Sequence, residues 1–225
     1  MKLSILIPVY NEAATLDALL QRVLAVEIPD REIVVVDDHS TDASPAILEN
    51  FKSDVVRVIR HEKNLGKGAA VRTALTHARG DYVIIQDADN ELDPNDILRL
   101  LAPVRAGSAV VVYGARNLSV QSFGNRLGNQ MLTLATNILF GTRISDMETC
   151  YKLMPTVVMR DLDLRANSFD IEPEITAKLA RGGLKIFEVP VRYTPRTEHK
   201  KMRPLREGLR AILLLLRLRW RGEIN

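Results

Sequence analysis

The fold of this chain turns on Val83-Ile84-Ile85-Gln86-Asp87-Ala88-Asp89-Asn90-Glu91-Leu92-Asp93-Pro94. Its first three residues form an uninterrupted apolar run, which reads as a strand buried on both faces of a parallel sheet. The run stops in carboxylates. Side chains two apart on extended backbone point the same way, so Asp87 and Asp89 face one point in space. Hard oxygens at a strand's carboxyl end suit Mg²⁺ or Mn²⁺, and open α/β sheets take ligands at that edge. On its own D-x-D is a weak signal, because acids also solvate loops. Asp93, Pro94 and Asp96 fit a plainer role: N-cap, first-turn proline and dipole partner of a following helix.

Further strand-like segments, mostly apolar, stand at Leu3 to Ile7, Glu32 to Val36, Val55 to Ile59 and Ala109 to Tyr113. Between them helical periodicity runs from about Thr15 to Val26, Ser44 to Phe51, Ala69 to Ala78 and Asn95 to Arg105. Leu16, Leu19, Leu20 and Val23 give the first helix a buried face, with Thr15 as its cap. This alternation predicts an α/β fold: a doubly wound, mostly parallel, Rossmann-like sheet with right-handed crossovers. The second half is less regular. It predicts an amphipathic helix over Phe123 to Phe140, a polar loop over Gly141 to Thr149 and a helix over Pro173 to Arg181. A late strand, Leu184 to Tyr193, carries Pro190 and so belongs at a sheet edge.

The chain has 225 residues, 46% hydrophobic and 26% charged, which predicts one large soluble domain with or without an appendage. One cysteine, Cys150, excludes an internal disulfide framework and fits a reducing compartment. The first apolar run is cut by Pro8, Asn11 and Glu12, unlike a signal peptide, and no apolar stretch approaches the roughly 20 residues that span a bilayer. These features predict a cytoplasmic protein. Charge is uneven. Residues 196–222 hold nine Lys or Arg and two Glu, hence +7, against +3 for the whole chain and −4 for the rest. A basic tail on an acidic body calls for an anionic partner: phosphate, nucleic acid or a membrane surface. On a helix, Leu205, Leu209, Ile212, Leu216 and Trp220 fall on one stripe beside Arg206, Arg210, Arg217 and Arg221. That pattern fits a helix lying in a membrane interface; a helix docked on the core with its arginines in water fits it too.

Glu12, the pair Asp37-Asp38, and Asp87 with Asp89 follow strands one, two and four, so a parallel sheet collects them along one edge. A carboxylate after strand two can hydrogen-bond a ribose or a base edge, and a metal at Asp87 and Asp89 can hold a pyrophosphate. Turn and helix-cap duty is the alternative for Asp37 and Asp38. Gly66-Lys67-Gly68 lacks the Walker spacing, and no G-x-G-x-x-G follows a strand; its small residues also fit a simple tight turn. The four histidines show no zinc spacing, and no G-x-S-x-G or Cys/His nucleophile pattern is present.

Together, Ile7-Pro8-Val9-Tyr10-Asn11-Glu12, Val36-Asp37-Asp38-His39-Ser40-Thr41-Asp42, Asn64-Leu65-Gly66-Lys67-Gly68 and Gln86-Asp87-Ala88-Asp89 resemble the ordered motifs of family 2 glycosyltransferases of the GT-A fold. More closely, the chain is similar to the dolichol- and polyprenyl-phosphate hexosyltransferase branch. The resemblance implies a nucleotide-diphosphate sugar held by Pro8, Tyr10, Glu12, Asp38, Lys67 and Asp87. It implies Mg²⁺ or Mn²⁺ at Asp87, Asp89 and Glu91, the last standing where the family usually carries Gln. Catalytic positions are then Asp89, Arg116 near the donor sugar and phosphates, and Asp146 beside the acceptor. Glu174 matches an acid that ends an F-x-x-x-P-E stretch. Arg196 with Lys200 or Lys201 resembles a basic pair that grips an acceptor phosphate.

Residues 1–195 are thus expected to form the glycosyltransferase domain, with a nucleotide-sugar half over about 1–116 and an acceptor half over about 117–195. Residues 196–225 form the basic tail. The implied reaction is inverting transfer of a hexose, from a donor of the GDP-mannose or UDP-glucose type, to polyprenyl or dolichyl phosphate. The expected location is the cytoplasmic face of a membrane, with no nucleic-acid partner. A phosphate nucleophile with a second pKa of about 6 needs cations to hold it more than it needs a strong base. Two alternatives keep part of this reading: a GT-A enzyme acting on a glycan, protein or other lipid, and a membrane-binding module with a vestigial site.

Overall fold

The computed structural model of the chain describes residues 1–196 and 204–220. The described elements are β1 (Leu3–Val9), α1 (Ala13–Ala25), β2 (Arg31–Asp37), α2 (Ser44–Glu49), β3 (Val56–Arg60), α3 (Lys67–His77), β4 (Tyr82–Ile85) and α4 (Asp96–Arg105). They continue with β5 (Val111–Arg116), α5 (Phe123–Phe140), β6 (Lys152–Pro155), α6 (Thr156–Asp161), α7 (Ile171–Arg181), β7 (Ile186–Val191) and α8 (Pro204–Trp220). The seven strands form one sheet in the order β3-β2-β1-β4-β6-β5-β7. Strands β3, β2, β1 and β4 run parallel, as do β5 and β7. β6 runs antiparallel to both neighbours, β4 and β5.

Ile5, Ile33 and Ile84 of the central strands are fully buried, as expected for a sheet covered on both faces. β1 lies between β2 and β4 with Val9 opposite Asp37 and Leu6 opposite Ile85. The loops that leave these three strands therefore emerge side by side. Pro190 sits in β7, the edge strand, where a missing N–H costs no ladder bond. β6 has no sequence signature of its own. It is four residues long and begins with Lys152, which is fully buried.

Two local expectations are corrected. α1 starts at Ala13 behind Glu12, so Thr15 lies inside the helix. Its hydroxyl donates to the Ala88 carbonyl at 2.7 Å and ties α1 to the loop after β4. α4 begins at Asp96 rather than at Pro94. Asp93 accepts from the Asn95 backbone N–H and pairs with Arg22 and Arg192, while buried Asp96 accepts the Arg192 backbone N–H at 2.6 Å.

α8 docks through Ala211, which packs with Leu132, Ile144 and Met147, and through Leu215 and Leu218, which pack with Ala177. Leu209, Ile212, Leu216 and Trp220, the stripe read from the sequence, instead stay 37% to 77% exposed. The side chains of Leu205, Arg206 and Arg221 lie outside the described residues.

Gly66 has φ +95, and a Cβ there would strike the Asn167 carbonyl; one on Gly68 would strike the Ala166 carbonyl. Both glycines thus admit the 166–167 backbone against the start of α3. Gly68→Ala is expected to cost about 2 kcal/mol in urea denaturation. Gly128→Ala, in α5 with open space around it, is expected to be neutral or to stabilise by up to about 1 kcal/mol.

Candidate active site

The strand-end loops close around one cleft of 680 Å³. Pro8, Tyr10 and Glu12 reach it from the end of β1, and Asp38 from β2. Lys67 enters from the first turn of α3, Asp87, Asp89 and Glu91 from the loop after β4, Arg116 from the end of β5, and Arg196 from beyond β7. Asn90 takes φ +58, a left-handed turn that asparagine tolerates, directly after Asp89. Asp146 sits behind Arg116, and Lys200 and Lys201 lie outside the described residues.

Asp38 is buried, and its two oxygens are engaged by protein. They accept the Leu65 and Gly66 backbone N–H groups at 2.8 and 2.7 Å, and His61 Nδ1 lies 2.7 Å away. It shapes the cleft wall by anchoring the glycine turn. Asp37 accepts the Ser40 N–H and pairs with Arg60, the turn duty weighed for it above. Lys67 Nζ lies 2.8 Å from Asp87 and 2.6 Å from Glu172. Burial alone would lower its pKa, but Asp87 and then Glu172 hold it well above the ordinary lysine value.

Arg196 closes the acidic side. Its guanidinium pairs with Glu12 and approaches Asp89 Oδ2 at 3.8 Å, and its backbone N–H donates to Glu91 at 3.1 Å. The family resemblance assigned it to an acceptor phosphate; here it neutralises the acids after β1 and β4. Asp89 is nevertheless pushed up to about 7, first by burial and then by Asp87 and Glu91. Such a carboxylate cluster gains from a cation. Among the described residues no three His, Cys, Asp or Glu side chains form a ready-made metal cage. The donor set therefore fits Mg²⁺ or Mn²⁺ held by one or two carboxylates, with the remaining oxygens from a diphosphate and water.

Arg116 and Asp146 form a bidentate pair, Nε to Oδ2 at 2.7 Å and Nη2 to Oδ1 at 2.9 Å. Asn129 also donates to Asp146 Oδ1. Burial would raise the Asp146 pKa, but Arg116 holds it below the usual range. Asp146, expected beside the acceptor, is thus fully buried and committed to aiming Arg116.

Two cleft residues escaped the sequence reading. Glu174 was singled out there, yet it accepts the Arg165 and Ala166 backbone N–H groups and pairs with Lys178, a structural clamp. Glu172 lines the cleft instead. Two residues along a helix turn the side chain through roughly 200°, so helix phase carried the signal that the motif match missed. Glu148 is the other. It faces the cleft from the loop before β6, and burial followed by Glu172 pushes its carboxyl up to about 7.

The chain belongs to glycosyltransferase family 2: the family's model matches residues 4–161. It is 31% identical over its full length to the dolichol-phosphate mannosyltransferase of Pyrococcus furiosus, covering 66% of that protein. Over 90% of its length it is 36% identical to an undecaprenyl-phosphate 4-deoxy-4-formamido-L-arabinose transferase of Pseudomonas fluorescens, covering 61% of it. The chain spans 43% to 67% of the length of the curated relatives it matches. The fold is GT-A. Glucosyl-3-phosphoglycerate synthase from Mycobacterium tuberculosis, solved with UDP, superposes with a TM-score of 0.76 at 21% identity, over 97% of this chain and 79% of that one. The same enzyme has been solved with Mn²⁺, UDP and glucosyl-3-phosphoglycerate.

Two outcomes are expected. Asp146→Ala strands the Arg116 charge in a buried site and should cost about 3–5 kcal/mol of stability, visible as a lowered Tm. Glu148, with a folded pKa of about 7 against an ordinary 4.5, binds a proton that the unfolded chain has released. Wild-type stability should therefore fall as pH rises from about 4.5 to 7 and level off above, by at most about 3 kcal/mol from this group. Glu148→Gln should remove that part of the slope in denaturation curves taken across the range.

Proposed function

We propose that this glycosyltransferase moves a hexose, with inversion, from a nucleotide-diphosphate sugar to polyprenyl or dolichyl phosphate at a membrane surface. The observation that carries this reading is the shape of the cleft. Its lining joins the acids after β4 to Gly124, Gly128 and Met131 of α5 and Leu209 and Ile212 of α8. The two helices pack on each other, and their outer sides leave Phe123, Leu127, Leu134, Ile138, Leu213 and Trp220 exposed by 45% to 77%. An apolar surface of this extent, rimmed by Arg210, Arg217 and Arg219, suits contact with lipid. No helix among the described residues is long and apolar enough to cross a membrane. The two relatives named for lipid-phosphate sugar transfer support the acceptor class. Peripheral attachment to the cytoplasmic face follows as part of the proposal.

In this reading Pro8, Tyr10 and the loop held by Asp38 border the nucleoside, and Lys67 and Arg116 add positive charge near the diphosphate. Asp87 and Asp89 would hold Mg²⁺ or Mn²⁺, with Glu91 at the rim; the bound ion would offset charge on the departing diphosphate. Arg196, released from Glu12 and Asp89 once that charge is met, is free to grip the acceptor phosphate, with Lys200 and Lys201 following in sequence. Asp146 acts only by fixing Arg116. The acceptor oxygen attacks the anomeric carbon from the face opposite the leaving group, so an α-linked donor yields a β-linked sugar phosphate.

The test is transfer from UDP-glucose or GDP-mannose with Mn²⁺, using undecaprenyl or dolichyl phosphate against a soluble sugar or peptide acceptor. Product only on the lipid phosphates supports the assignment; product only on the soluble acceptors overturns it. In the same assay Asp89→Asn should lower kcat by at least a hundredfold, about 3 kcal/mol, with the fold intact by circular dichroism. Arg196→Ala should raise the acceptor KM or lower kcat while donor affinity stays within a few-fold. Membrane contact is read from cosedimentation with anionic vesicles: Ile138→Asp with Leu134→Asp, both at exposed positions, should weaken it strongly while the Tm holds. High salt should weaken binding of the wild type through screening.

A further inference from the structure

Along the sheet, the cleft has a direction. The β1 and β2 ends carry Pro8 and Asp38, the β4 end carries the acid pair, and beyond it, over β6 and β5, lie Glu148, Glu172 and Arg116. If a diphosphate sits at the acids with its nucleoside over β1 and β2, the far region is where the transferred sugar rests. This step rests on the nucleotide-sugar reading above and concerns which sugar it takes.

The far region contains acceptors without donors. Glu148 Oε1 and Glu172 Oε2 are buried and have no hydrogen-bond partner among the described residues. A buried polar atom left unpaired costs about 1–3 kcal/mol, so a fold keeps one where something else supplies the partner. The cations nearby are committed. Arg116 is held by Asp146, Lys67 bridges Asp87 and Glu172, and Lys152 donates to the Met147 carbonyl at 2.7 Å beneath the Tyr113 ring. Glu148 is part-exposed and lines the cleft, and its terminal torsion is soft, so a partial turn can bring the unpaired oxygen from its buried position to a hydroxyl at the cleft wall.

We infer that Glu148, supported by Glu172, is a specificity-determining residue that accepts hydrogen bonds from the hydroxyls of a neutral hexose and rejects donors whose sugar carries a carboxylate. A hydroxyl supplies the missing donor. A uronic-acid carboxylate supplies none and adds like charge beside the buried Glu172 and the part-exposed Glu148, a mismatch that a polar subsite penalises. Sites built around buried polar groups discriminate more sharply than apolar ones for this reason.

The experiment uses the full chain with Mn²⁺ at pH 8, above the value at which Glu148 takes up its proton. Calorimetric titrations compare UDP, UDP-glucose and UDP-glucuronic acid, and likewise GDP, GDP-mannose and GDP-mannuronic acid. The expected wild-type result, in whichever nucleotide series binds, is at least tenfold tighter binding of the neutral-sugar donor than of the uronate donor. Glu148→Gln keeps the shape and gains a donor, so it should shrink that ratio at least fivefold while affinity for the bare nucleoside diphosphate stays within twofold. Equal wild-type affinity for both donors overturns the inference with no variant needed. An unchanged ratio in Glu148→Gln, or an equal loss of bare nucleotide binding, overturns it as well. Binding of neither UDP nor GDP, with or without sugar, overturns the nucleotide-sugar reading itself, a result separate from the others.

Discussion

The structure depends on one electrostatic constraint: β1 lies between β2 and β4, so three polar strand-end loops open at the same edge. Glu12, Asp38, Asp87, Asp89 and Glu91 are brought together by strand order alone. Like charges at this density, partly withdrawn from water, repel each other by several kcal/mol at protein-like dielectric. Asp89 is raised to about 7 first by burial and then by that repulsion, from Asp87 and Glu91. Much of the remaining polar architecture serves to contain it.

Containment is by cations from distant parts of the chain. Lys67 from α3 pairs with Asp87, and Arg196, after β7, closes over Glu12 and Asp89. These pairs are poor stabilisers in themselves, because desolvation offsets much of their attraction. Their use is positional. In the proposed function such a pair would exchange partners when the charge on Glu12 and Asp89 is met otherwise, which would free Arg196 for the acceptor phosphate. Arg116 differs, since its bidentate bond to a fully buried Asp146 holds it in a single direction.

The second half of the chain supplies the opposite kind of surface. α5 and α8 bury one face each against the body and leave the other apolar and open. Docked and interfacial were alternatives when α8 was read as a sequence; the structure docks one face of the helix and leaves the other exposed. Ala211, Leu215 and Leu218 face inward, and Leu209, Leu216 and Trp220 face out. The cleft is lined by residues of both helices, so it adjoins both carboxylates and apolar side chains.

By itself the sequence determined the strand–helix alternation, the buried run Val83–Ile85, the edge position of Pro190 and the D-A-D pair, because these follow from local periodicity and backbone geometry. It also pointed to the collection of Glu12, Asp38 and Asp89 at one edge, since parallel strands order their ends. Only the tertiary structure decided the partners. Asp146 and Arg116 are 30 residues apart and Arg196 and Glu12 are 184 apart, separations across which no pattern carries information. β6 was hidden because a short strand between covered neighbours needs neither alternation nor length. Glu148 and Glu172 were hidden for a related reason: an acid in a loop and an acid at a helix start read as solvated until packing removes the water.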